Sequence, residues 1–101
     1  MNPTVHIDKR AVAAFCRRHH IRELSFFGSC LGNRFRPDSD IDVLVEFEPR
    51  HVPGMIHLFE VEQELSRLLG GRRVDLVTKK SLNPRIRGRI LAEAEVEYAQ
   101  R

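Results

Sequence analysis

Three aspartates and a glycine–serine pair carry the chemistry available to this sequence. Asp40 and Asp42 flank Ile41 and open an apolar run that ends at Phe47. Successive strand side chains point to opposite faces, so Asp40 and Asp42 share one face while Ile41, Val43 and Val45 share the other. Their β-carbons then lie about 6.5–7 Å apart, a span over which carboxylates can converge on one divalent ion or on a close pair of ions. Metal, protonation or solvent must relieve their repulsion. For carboxylates at the mouth of a strand the natural answer is Mg2+, which prefers oxygen. Upstream, across ten intervening residues, stand Gly28 and Ser29. Glycine allows close backbone approach to a ligand, and serine adds a hydroxyl and an N–H near a predicted helix start, where anions bind. Phosphate beside Mg2+ points to a nucleotide. Asp75 lies in a second apolar stretch, RVDLVT, where a buried carboxylate is costly unless it binds metal or pairs with Arg72, Arg73 or a lysine.

The surrounding pattern predicts the elements that must hold these groups. Asp8 can cap a helix running to about His20, with Ala11, Val12, Phe15, Cys16 and His19 on its packed face. His19 and His20 point in different directions on a helix, which makes them ordinary surface or half-buried histidines rather than a metal pair. A strand from Ile21 to Phe27 delivers the chain to Gly28, a helical turn runs from Ser29 to Asn33, and a loop continues through Arg34 to Ser39. The strand from Asp40 to Phe47 is apolar on both faces between Asp42 and Glu46, the mark of an interior strand. A loop from Pro49 to Gly54 leads to the longest helix, Met55 to Leu69. Its Met and Leu stripe (Leu58, Val61, Leu65 and Leu68 in register) reads as core, and Gly70-Gly71 terminate it. A third strand from Arg73 to Thr78, a short helix opened by Asn83-Pro84 and an edge strand from Glu95 to Tyr98 complete the chain. The expected fold is α/β in the α+β sense: a small mixed sheet of about four strands flanked by helices, in one domain spanning 1–101.

With 101 residues, 42% hydrophobic and 31% charged, the chain reads as a globular domain too small to add a separate acceptor-binding domain. No apolar run reaches the roughly 20 residues that span a bilayer, and the N-terminus lacks a signal-peptide apolar region, so a cytoplasmic protein is expected. Cys16 and Cys30 lack zinc-type spacing and read as free thiols. Between Asp38 and Glu48 there are five acids and no base, whereas Lys79, Lys80, Arg85, Arg87 and Arg89 form a later basic run. An acidic site facing a basic rim would suit a polyphosphate; a solvated surface explains the basic run equally well. There is no GxxxxGK[ST] or GxGxxG loop.

Gly28-Ser29, ten residues, then Asp40-x-Asp42 resembles the signature of the DNA polymerase beta type nucleotidyltransferase superfamily. More closely, RPDSDIDVLVEF followed by GRRVDLVTKKSLNPRIR resembles the minimal nucleotidyltransferase (MNT) domain, from about Ile21 to Tyr98. Proteins of that family act as antitoxins beside HEPN-domain toxin ribonucleases. The resemblance implies an enzyme that transfers AMP from Mg-ATP to a tyrosine hydroxyl of the toxin, with two Mg2+ ions held by Asp40 and Asp42. Asp75 would complete one ion's ligands or take the acceptor proton, and Gly28 and Ser29 would bind the departing pyrophosphate. Relatives commonly carry a basic residue and then glycine where this chain has Gly32-Asn33, so Arg34 is expected to stand in as the phosphate-binding cation. Two rivals remain at this stage. One is an antitoxin of the same fold that covers the toxin without catalysis. The other is a small nucleic-acid-binding module using the run from Lys79 to Arg89, which lacks aromatic stacking support beyond Phe35.

Overall fold

The computed structural model describes residues 7–31 and 40–100, without the side chains of Ser29 and Cys30. Helix α1 (Lys9–Arg18) begins where the Asp8 carboxylate accepts the backbone N–H groups of Arg10 and Ala11, both at 3.1 Å. These are donors that the first helical turn leaves without intrahelical partners. Strand β1 (Ile21–Phe27) runs into a single 3-10 turn (Gly28–Leu31), and β2 (Ile41–Phe47) follows. Helix α2 (Met55–Leu68) connects β2 to β3 (Val74–Thr78). Helix α3 (Pro84–Glu93) is capped by the Asn83 side chain, has proline in its first turn and buries no residue. Strand β4 (Glu95–Ala99) ends the fold.

The four strands form one mixed sheet in the order β3-β2-β1-β4, so β4 is an edge strand as expected. β1 is antiparallel to both β2 and β4, whereas β2 and β3 are parallel. A parallel pair needs a long crossover, and α2 supplies it. One face of the sheet, with Leu24, Phe26, Ile41, Val43, Val45, Val74 and Leu76, joins Val12, Phe15 and Cys16 of α1 and Val61 and Leu65 of α2 in a single core. Leu44 and Ser25 are buried on the opposite face, so β2 is interior on both sides. At the outer edge of β3 the Leu76 N–H donates to Glu62 Oε2 of α2 at 2.9 Å, which satisfies a donor that an edge strand would otherwise present to another chain. Among the described residues no helix is long and apolar enough to cross a membrane.

The α2 stripe needs one correction. Val61 and Leu65 are buried and Leu58 and Leu68 pack against the core, but Met55 is 89% exposed. At roughly 100° per residue, Met55 projects about 90° away from the middle of the face formed by Leu58, Val61 and Leu65. Ile56 and Phe59 share that exposed side.

Candidate active site

The site is built at one end of the sheet, where β1 finishes and β2 and β3 begin. The Ile41 N–H donates to the Arg73 carbonyl at 2.8 Å, which aligns the starts of the two parallel strands. In the resulting register Ile41 lies opposite Val74 and Asp42 opposite Asp75. Registered partners on neighbouring strands, about 4.8 Å apart, send their side chains to the same face. Asp42 and Asp75 therefore stand side by side, and Asp40 lies two residues before Asp42, just outside the strand and half-buried.

On the other side of β2, Asp42 is opposite Phe27, and the next residue is Gly28. Gly28 has φ +75°, and a Cβ built there would fall on Asp42 Oδ2. The close approach expected of this glycine is thus made to the carboxylate itself: Asp42 fills the space that a side chain at 28 would need. Ser29 follows inside the 3-10 turn. The Ser29 hydroxyl and the loop carrying Gly32, Asn33 and Arg34 lie outside the described residues.

Two expectations about charge change. Asp75 is not a buried carboxylate interrupting a core strand: Val74 and Leu76 are buried on one face of β3 while Asp75 alternates outward and is exposed. No burial cost arises, and Arg73 serves Asp40 instead, with Nε 3.6 Å from Asp40 Oδ1. The reason is register, since Asp40 and Arg73 each precede the Ile41–Val74 pair by one residue. The sequence reading placed Arg73 among partners of Asp75; the parallel β2–β3 pairing is the signal that would have assigned it correctly. The basic run does not form a rim through Lys79. That residue lies past the far end of β3, where its Nζ is 2.5 Å from Glu46 Oε2 and 4.0 Å from Glu23 Oε1. The hydrogen bond from Lys79, aided by the charges of Lys79 and Arg22, outweighs partial burial and holds the Glu46 carboxyl below its ordinary value. Arg89 pairs with Glu93 at 3.3 Å, and Arg87 donates to the Leu82 carbonyl at 3.1 Å.

Three carboxylates at one end of one face, with only oxygen to offer, suit a hard divalent cation such as Mg2+. The glycine that leaves room for Asp42 keeps one of them seated at that end.

The nucleotidyltransferase domain family matches residues 9–96 of the chain. The protein adenylyltransferase MntA of Thermococcus cleftensis is 42% identical over 76 residues, covering 75% of this chain and 74% of that protein. A solved structure described as a minimal nucleotidyltransferase is 37% identical with a TM-score of 0.71, each chain being covered to 86%. A toxin–antitoxin crystal structure with AMP-PNP shares the fold at a TM-score of 0.75 and 20% identity, over 94% of this chain and 76% of that one.

Proposed function

Because this chain belongs to the minimal nucleotidyltransferase family of protein adenylyltransferases, we propose that it transfers AMP from Mg-ATP to a tyrosine hydroxyl of a HEPN-type ribonuclease toxin and so acts as its antitoxin. The observation that carries this reading is the pairing of Asp42 with Asp75 across parallel strands, with Gly28 giving up its side chain to the Asp42 carboxylate. In the reaction the tyrosine oxygen attacks the α-phosphorus of ATP, one P–O bond forms, and the bond to the pyrophosphate oxygen breaks. Asp40 and Asp42 would hold two Mg2+ ions, which when bound stabilise charge on the attacking and leaving oxygens. Asp75 completes the oxygen donors or takes the phenolic proton; its exposure beside Asp42 supports both roles. Gly28 and Ser29, at the head of the 3-10 turn, bind the departing pyrophosphate with Arg34. AMP placed near a ribonuclease site adds anionic charge that repels RNA phosphates.

The test is the intact mass of a candidate HEPN-type toxin after incubation with this chain and Mg-ATP, with Asp42→Asn in parallel. Increments of one AMP, absent with the variant, are expected. A stable complex that neutralises the toxin without any increment would refute transfer and leave occlusion as the mode of action.

A further inference from the structure

At the opposite end of the sheet from the aspartates, three side chains of a different chemistry converge. His20 lies between α1 and β1, Glu48 directly follows β2, and His51 sits in the loop leading to α2. The backbone assembles them. The Glu48 N–H donates to the His20 carbonyl at 2.9 Å, and the His51 N–H donates to the Glu48 carbonyl at 2.9 Å. His20 adopts φ +56°, the one non-glycine residue at positive φ among those described. Glycine is the usual occupant of such a position just past a helix, so this chain keeps a side chain where the backbone favours none.

The His20 ring stacks on His51 with centroids 3.6 Å apart and planes 10° from parallel. His20 Nδ1 is 3.1 Å from Glu48 Oε2. The other carboxylate oxygen, Oε1, accepts from Gln100 Nε2 at 2.6 Å, which fixes the carboxylate with Oε2 toward the imidazoles. One donor atom from each of the three residues lies within 4.8 Å of the others.

We propose that His20, Glu48 and His51 form a transition-metal site for Zn2+ or a similar ion, separate from the Mg2+-type carboxylate site. Two imidazoles and one carboxylate select borderline-soft metals over Mg2+, and three protein ligands leave a fourth tetrahedral position for water. Zn–ligand distances of about 2.0–2.2 Å put tetrahedral donors roughly 3.3 Å from one another; His20 Nδ1 and Glu48 Oε2, 3.1 Å apart, already meet that spacing, and the third donor must draw in by at most about 1.5 Å. Both histidines are exposed, and the ring stack can open without disturbing the core. The bound ion would tie the β2–α2 loop to the α1–β1 junction and, through Gln100, to the end of β4. Strand β1, seven residues long, separates this site from Gly28 by about 23 Å.

The experiment uses tag-free protein stripped by chelation and titrated calorimetrically with Zn2+ in excess Mg2+, with Co2+ as a spectroscopic stand-in. One equivalent of Zn2+ is expected, with a rise in Tm. His51→Ala, in an exposed loop, and His20→Gly, which suits the backbone, should each weaken binding at least about tenfold. Asp42→Asn and His57→Ala should bind as the parent does. His57→Ala controls for the neighbouring His19–His57 pair, whose ring centroids are 5.6 Å apart. No saturable binding would overturn the proposal. So would unchanged affinity in folded His20→Gly and His51→Ala proteins, or binding lost with Asp42→Asn.

Discussion

Replacing Gly28 with alanine strikes the candidate active site through two separable physical effects. At φ +75° an L residue pays the left-handed penalty, and its Cβ meets Asp42 Oδ2. The first effect costs about 1–2 kcal/mol, and pushing the Asp42 side chain off its rotamer adds about 0.5–1.5 kcal/mol. A total of about 2 kcal/mol corresponds to a fall in Tm of roughly 8–16 °C for a domain of this size. The functional loss should be larger than the stability loss implies, because a catalytic group displaced by about 1 Å can cost on the order of 100-fold in rate. Gly28→Asn separates the effects. Asparagine tolerates positive φ better than alanine but still carries the Cβ, so it should recover part of the Tm and none of the site. Thermal unfolding and Mn2+ binding, with Mn2+ replacing Mg2+, read the two quantities. A Gly28→Ala protein that binds Mn2+ as the parent does would refute the claim that the Asp42 carboxylate occupies this space.

Three further outcomes follow from the same geometry. Arg73→Ala removes the cation beside Asp40, and since exposed pairs contribute at most about 1 kcal/mol, Mn2+ affinity should rise by no more than about fivefold; a fall would show that Arg73 helps bind the ion. Burial of Cys16, only slightly offset by the charge of Arg17, pushes its thiol from 9.0 up to about 12. Below pH 9 both folded and unfolded states keep the proton, but between pH 9 and 12 only the unfolded state loses it, so stability declines there by up to about 1.4 kcal/mol per pH unit. Denaturant midpoints of Cys16→Ala across that window should slope less steeply than the parent's. In acid the sign reverses. Glu46 is lowered chiefly by its hydrogen bond from Lys79; for Glu64, burial raises the value but hydrogen bonds and charge from Arg18 and His19 outweigh it. Stability from both is present above the ordinary glutamate value of 4.5 and lost as pH falls through their lower folded values, so Glu46→Gln should flatten the acid limb of a Tm–pH profile.

The elements were legible because local signals agreed with one another. Asp8 as a cap, the Gly70-Gly71 stop and Asn83-Pro84 each mark a boundary through the chemistry of one or two residues, and the structure places a boundary at each. What the sequence could not show was tertiary register. The outward aim of Asp75 depends on which face of β3 meets α2. The pairing of Arg73 with Asp40 depends on the parallel alignment that the α2 crossover imposes. The exposure of Met55 reflects the same limit, since an apolar residue one turn before the core contacts reads as part of the stripe until the angle of the packed face is known.

The histidine cluster shows the limit from the other side. His20 and His51 are thirty-one positions apart and follow no ligand spacing, and read alone each is an ordinary surface histidine. His20 meets Glu48 because β1 and β2 form an antiparallel pair in which Ile21 lies opposite Phe47, so the residue before one strand and the residue after the other are neighbours, and the turn in which the His51 N–H donates to the Glu48 carbonyl adds His51. The same pairing, followed to its far end, sets Phe27 opposite Asp42 and brings Gly28 against the Asp42 carboxylate. One ladder thus links both ends of the sheet, with a one-residue shift of register between Ile21 and Glu23. A shift of one residue carried along the whole β1–β2 ladder would turn Asp42 to the core face and part Glu48 from His20 together. A variant that slips this register should therefore lose Mn2+ binding at the aspartates and Zn2+ binding at the histidines at once, whereas ligand substitutions should remove them one at a time.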